Sequence, residues 1–218
     1  MTRAANTLLP FKNSFVLFAF LLVVWGFYRN LLQLPEAIDE LFSKPLIWLG
    51  ATYYLFKKEG TSVRTLGITS KNLFKAICFA LVLGVIFATE GILVNYVKYG
   101  KFDFGVQIDT VSFLVAFVLS FATAITEEIT FRGYIFSRVW RYFQDANLTN
   151  VLVSVAWVIL HIPVAIFVWE LDIYSLLVYG LLAFIFSIGA GYVYMKSENV
   201  ISPILLHMLW QWPIILFR

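Results

Sequence analysis

A single cysteine, Cys78, stands in a chain of 218 residues, so no disulfide can form within it. It lies in the apolar run KAICFALVL, where a lone thiol is expected to be packed. Charge is scarce as well. Only 13% of the residues are Asp, Glu, Lys or Arg, where a soluble domain carries about one quarter. The net charge of +3 comes with no basic block and no RNA-reading motif, which argues against nucleic acid as a partner. No Ser/Gly linker, internal repeat or low-complexity tract divides the chain. Residues 1–218 are therefore expected to form a single integral membrane domain.

What the chain has in place of charge is apolar runs, with 61% of its residues hydrophobic. Seven segments stand out: 13–32, 43–57, 74–97, 110–137, 149–168, 172–195 and 201–217. A span of the hydrocarbon core takes about 20 apolar residues. The expected fold is all-α, a polytopic helical bundle in the lipid bilayer with about seven to eight transmembrane helices. The second and last segments are short, and the fourth is long enough to be two helices or one that projects. Arg3 and Lys12 precede the first run, but the bulky VVWGFYRN offers no small-residue cleavage pattern, so a retained membrane helix is expected rather than a signal peptide.

Loop charges predict an orientation. Lys57, Lys58, Arg64, Lys71 and Lys75 face only Glu59 between the second and third segments, whereas Arg29 and Lys44 face Glu36, Asp39 and Glu40 between the first and second. By the positive-inside rule the 58–73 loop is cytoplasmic and the 33–42 loop is outside. The N-terminus and Arg138 and Arg141 then fall inside, and Glu170 and Asp172 outside. In the sixth segment Ala183, Ser187 and Gly191 recur every four residues, a small-residue stripe expected to let a neighbouring helix approach.

Against this background TEEITFR is conspicuous, because ionisable groups at bilayer depth are costly and face the bundle interior. Glu128 and Arg132 are spaced i, i+4 with the acid first, the favourable order for a helical ion pair. Glu127 is turned about 100° away from Glu128. It is either a general base or a carboxylate bonded to a neighbouring helix. The chain's two histidines, His161 and His207, lie in later apolar segments. Trp157 is one turn before His161 on the same face, and Pro163 follows it with the prospect of a kink. Gln211 shares a face with His207, whose helix is expected to start with Ser202 as cap and Pro203 at its first position. Counted along the helices, Glu127 and His161 each lie about 16 Å from the ends near Arg138 and Asn150, and His207 and Gln211 about 8 and 13 Å from Ser202. The four side chains are thus expected to converge in the cytoplasmic half, with access from that side.

The residues EEITFR at 127–132, WVILH at 157–161 and HMLWQ at 207–211 resemble, in order, the EExxxR, FxxxH and HxxxN motifs of the CAAX-protease and bacteriocin-processing (CPBP, or Abi) family. Trp157 replaces a phenylalanine and Gln211 an asparagine. The resemblance covers about 110–217, and implies that this part carries the catalytic core of an intramembrane CAAX prenyl protease-like endopeptidase. It implies Glu127 as general base for a water, His161 as the residue that helps hold that water, and His207 and Gln211 as oxyanion donors. It further implies that Glu128 and Arg132 support them and that the substrate is a membrane-anchored protein or peptide. The extra methylene of Gln211 shifts its donor by about 1 Å, enough to affect rate. The family is often labelled a metalloprotease, and Glu127, His161 and His207 could supply a zinc set. With no HExxH helix, metal-independent glutamate chemistry is the expectation and zinc the alternative. A scaffold or immunity role without cleavage remains open, as does a transporter using Glu90, which residue counting separates from the cluster.

Overall fold

The structure, a computed structural model, describes residues 2–101 and 113–216. Among these residues there is no strand, and the helices join end to end into seven rods. The first is α1 (Thr2–Leu32). A short α2 (Glu36–Ile38) and a π-helical turn (Asp39–Ser43) lead directly into α3 (Lys44–Glu59). After a 3-10 turn (Val63–Leu66) come α4 (Leu73–Tyr99) and α5 (Phe113–Glu128). The fourth rod continues from α5 without a break through a π-helical stretch (Ile129–Phe136) into α6 (Ser137–Phe143). The last three rods are α7 (Ala146–Phe167), α8 (Ile173–Ser197) and α9 (Ile201–Leu216).

Every apolar segment expected from the sequence is helical where it is described; residues 110–112 and 217 lie outside the described residues. Five helical stretches are long and apolar enough to cross a membrane: Thr7–Leu32, Leu73–Val97, Leu114–Phe143, Ala146–Phe167 and Ile173–Ser197. α3 and α9 have 16 residues each and fall short of the usual span. The outer face is apolar: Phe74, Val82, Val85 and Val97 on α4 are all more than 60% exposed. Such a surface suits lipid rather than water, and the chain is an integral, multi-pass membrane protein. Cys78 belongs to that surface, exposed rather than packed as its apolar surroundings suggest.

Local chemistry sets the ends of the rods. Asp145 accepts hydrogen bonds from the backbone N–H groups of Asn147 and Leu148 (2.9 and 3.0 Å) to start α7. Asp172 does the same for α8 through Ser175 N–H at 2.8 Å, and that bond holds its carboxyl below the usual range. Gly60 ends α3 at φ +61°, a conformation glycine adopts without strain. The start of α9 differs from expectation. Asn199 Oδ1 accepts from Ile201 N–H at 3.0 Å, while Ser202 lies inside the first turn with its hydroxyl on Asn199 O. Pro163 does not end α7, which runs on to Phe167. A Cβ on Gly26 would lie 3.2 Å from Pro163, so α1 and α7 meet closely there.

One end of the bundle is closed by polar packing. Arg138, counted above with the loop cations, is buried. It pairs with Glu59 at 2.9 Å and stacks on Tyr134 at 4.2 Å from the ring centre. Tyr134 O–H also donates to Glu59, as does Asn13 Nδ2–H from α1. The 60–72 connection folds inward against this cluster. Leu66 is buried, and a Cβ on Gly133 would meet its carbonyl oxygen at 2.8 Å.

Candidate active site

Glu127 and Glu128 are the last two residues of α5, at the edge of the π-helical stretch. Such wide turns recur at functional sites, and nothing in the residue pattern announced this one. Glu127, Glu128, Arg132 and His207 are each 2% exposed or less. Buried charges at that level must be paired, and every one of them is.

Glu128 and Arg132 form the expected pair. Arg132 Nη1–H donates to Glu128 Oε1 at 3.1 Å, and the other carboxylate oxygen lies equally near but off the N–H direction. Arg132 Nη2–H reaches α8, bonding to Ser187 Oγ at 2.7 Å and Ser187 O at 3.1 Å, while Nε–H is buried without an acceptor among the described residues. Ser187 belongs to the small-residue stripe, whose expected role was packing alone. Here it also fixes the guanidinium. His207 Nδ1 lies 2.8 Å from Glu128 Oε1. Its imidazole therefore engages the supporting pair and not Glu127.

Glu127 points the other way, as its rotation on the helix predicts, and has partners of its own. Trp157 Nε1–H donates to Oε2 at 3.1 Å. His161 Nε2 is 3.7 Å from the same oxygen. Oε1 is held at 2.7 Å by Lys44 Nζ from α3. His161 Nδ1 is 2.8 Å from Trp157 O, a carbonyl that can only accept, so that nitrogen carries the proton. In neutral His161, Nε2 is then a bare acceptor facing Glu127. Trp157 sits at the middle of the cluster, 4.1 Å from the His161 ring and 6.2 Å from that of His207.

A phenylalanine at position 157 would supply the ring but not the N–H. Sequence reasoning recorded Trp157 as a ring on the His161 face and missed its bond to Glu127. It also treated Lys44 as a loop charge and so missed a cation inside the site. Lys44 opens α3 and Glu59 closes it about 22 Å away, so along α3 the polar centre lies toward the 33–43 connection.

Gln211 follows one turn after His207. Its side-chain oxygen is buried and, among the described residues, accepts no hydrogen bond. Glu90, which residue counting set apart, reaches this neighbourhood through a hydrogen bond to Trp210. Trp210 stacks on Phe186 at 4.2 Å, and Phe186 lies 4.8 Å from the His207 ring. A groove lined by Leu83, Asn150, Ile185 and Tyr192 lies elsewhere, between α4, α7 and α8.

The family model described as Type II CAAX prenyl endopeptidase Rce1-like matches residues 109–213. The match covers just under half of the chain and agrees with the CAAX-protease family that the three motifs resemble. No curated protein matches the chain. All three motif segments of the Rce1-like half fall inside the match, whereas α1, α3 and Lys44 fall outside it. The match supports a CAAX protease-like protein in general and assigns no role to an individual residue. The zinc set does not fit that geometry. Among the described residues no group of three His, Cys, Asp or Glu side chains is arranged to hold a metal ion. Glu127 Oε1 already faces an ammonium, and His207 is turned onto Glu128.

Proposed function

We propose that the chain is an intramembrane endopeptidase that hydrolyses a peptide bond of a membrane-anchored protein or peptide with a water activated by Glu127. The observation that carries this reading is the 3.7 Å gap between Glu127 Oε2 and His161 Nε2, two acceptors in a buried site. A polar contact longer than about 3.5 Å is one that a water can complete. A water donating one hydrogen to each acceptor turns its free lone pair outward, toward a carbonyl carbon. Glu127 takes the proton as the oxygen attacks. The developing oxyanion needs donors. His207 supplies one from Nε2–H when it is imidazolium, with Glu128 as its counter-ion. Gln211 supplies the other from its amide N–H.

Comparing protein termini in cells carrying wild type or Glu127→Gln tests the reading. A new terminus that depends on Glu127 is the expected result. A cellular phenotype that survives Glu127→Gln at normal expression, with no such terminus, favours the scaffold role.

A further inference from the structure

The Rce1-like match begins at residue 109, yet the shortest polar contact of Glu127 is with Lys44, from the other half of the chain. Lys44 is 5% exposed, lies against the Trp25 and Trp48 rings, and has a second carboxylate partner. Glu40 Oε2 is 2.9 Å and Oε1 3.2 Å from Nζ. Thr123 Oγ1–H, one turn before Glu127 on α5, donates to Glu40 Oε2 at 2.5 Å. A bridge of Thr123, Glu40, Lys44 and Glu127 thus starts and ends on α5. The π-helical turn at Asp39–Ser43 carries Glu40 into it, anchored by Asp39, which is buried and pairs with Arg29 and Tyr28.

We propose that Lys44 and Glu40 are positioning residues of the active site: Lys44 holds Oε1 of Glu127 so that Oε2 is presented to the attacking water, and Glu40 keeps Lys44 paired when Glu127 is protonated.

The proposal rests on the peptidase reading above. Glu40, Glu127 and Glu128 face Lys44, Arg132 and His207, so Lys44 shares two of the carboxylates and Glu128 holds the other two groups. In the attack a water O–H bond breaks, its proton goes to Glu127 Oε2, the oxygen bonds to the carbonyl carbon, and the C=O electron pair moves onto oxygen. Glu127 is then neutral. In a dry site Lys44 would lose its counter-ion at that moment, at a cost that grows as the dielectric falls. With Glu40 in place, Lys44 keeps a carboxylate 2.9 Å from its ammonium. The same arrangement fixes which oxygen is the base, since Oε1 stays on the ammonium throughout.

The test uses the full chain in lipid nanodiscs and has two arms. In the first, a lipophilic carbodiimide activates a carboxyl as an acylisourea, and a touching amine displaces the urea to form an amide. Mass spectrometry is expected to find a Lys44–Glu127 isopeptide, lost in Glu127→Gln. A Lys44–Glu40 product alone, or no product, overturns the proposal. In the second, cleavage of the substrate found by terminus comparison is measured. Lys44→Met is expected to lower kcat about 100-fold, the scale of a 1 Å misplacement, at unchanged KM. Lys44→Arg recovers most of the loss, which a merely structural role does not require. If Lys44→Met fails to fold, Glu40→Gln, which keeps the Lys44–Glu127 pair, is expected to lower kcat at unchanged KM and melting temperature. Wild-type kcat in either variant overturns the proposal while the peptidase reading stands. If wild type cleaves nothing, the peptidase reading falls and takes the catalytic half of the proposal with it, and the isopeptide still decides the contact.

Discussion

The two adjacent glutamates are distinguished by their partners. Glu128 faces Arg132 and His207, and Glu127 faces Lys44, Trp157 and His161. Residue spacing made the first assignment legible, because i, i+4 pairing is a property of one helix. It also showed that Glu127 leaves that face. It could not show what Glu127 meets, because partners on other rods depend on tertiary packing. Trp157 makes the difference testable. Trp157→Phe restores the ring the family motif carries and deletes only the N–H to Glu127 Oε2. A hydrogen bond to a charged group contributes roughly 1.5 kcal/mol, so kcat is expected to fall about tenfold with the fold intact. Cleavage rate beside thermal unfolding in detergent checks both halves of that statement.

The rods themselves were the most legible level, because apolar length and charged flanks report them directly. The small-residue stripe on α8 was legible as a close approach, and the structure shows what approaches. A Cβ on Gly191 would stand 1.8 Å from Asn150 Oδ1, on α7. Asn150 is tied there by its own bond to Ile188 O at 3.0 Å, so it has little room to yield. Gly191→Ala is accordingly expected to separate α7 from α8 and lower stability by about 1–3 kcal/mol, the usual scale of overpacking, read as a lower melting temperature in detergent. The π-helical stretches were not legible. Ile129–Phe136 has the composition of any apolar helix, and its contacts through Arg132 to Ser187 and through Gly133 to Leu66 are made only in the folded bundle. Ser187 was read as a spacer for a similar reason, since its serine chemistry is used only because Arg132 ends up opposite.

At the scale of the whole molecule, two polar layers cross an otherwise apolar bundle. One joins Asn13, Glu59, Tyr134 and Arg138, and the other joins Glu40, Lys44, Glu127 and His161. The first half of the chain read from sequence as generic membrane helices. It supplies one side of each layer, so the unit that works is larger than the 109–213 segment the family match covers. Charge counting treated Lys44 and Arg138 as loop residues, although both are interior. The orientation therefore rests on the remaining cations of the 58–73 loop.

The ion pair between Lys44 and Glu127 also bears on biogenesis. Synthesis delivers α3 to the membrane with Glu40 already present but before Glu127 exists. Lys44 and Glu40 are an ion pair with no Glu127 to complete the cluster, and ionisable groups at bilayer depth are costly. An α3 of 16 residues has little apolar length to offset that. The early helices are therefore expected to stay near the insertion machinery until 113–143 emerges. A chain ending at Lys101 should be degraded as an orphan, and co-expression of residues 102–218 should restore its abundance in a pulse-chase. Glu127→Ala in the second fragment should abolish that rescue, which would make Glu127 an assembly signal as well as a base.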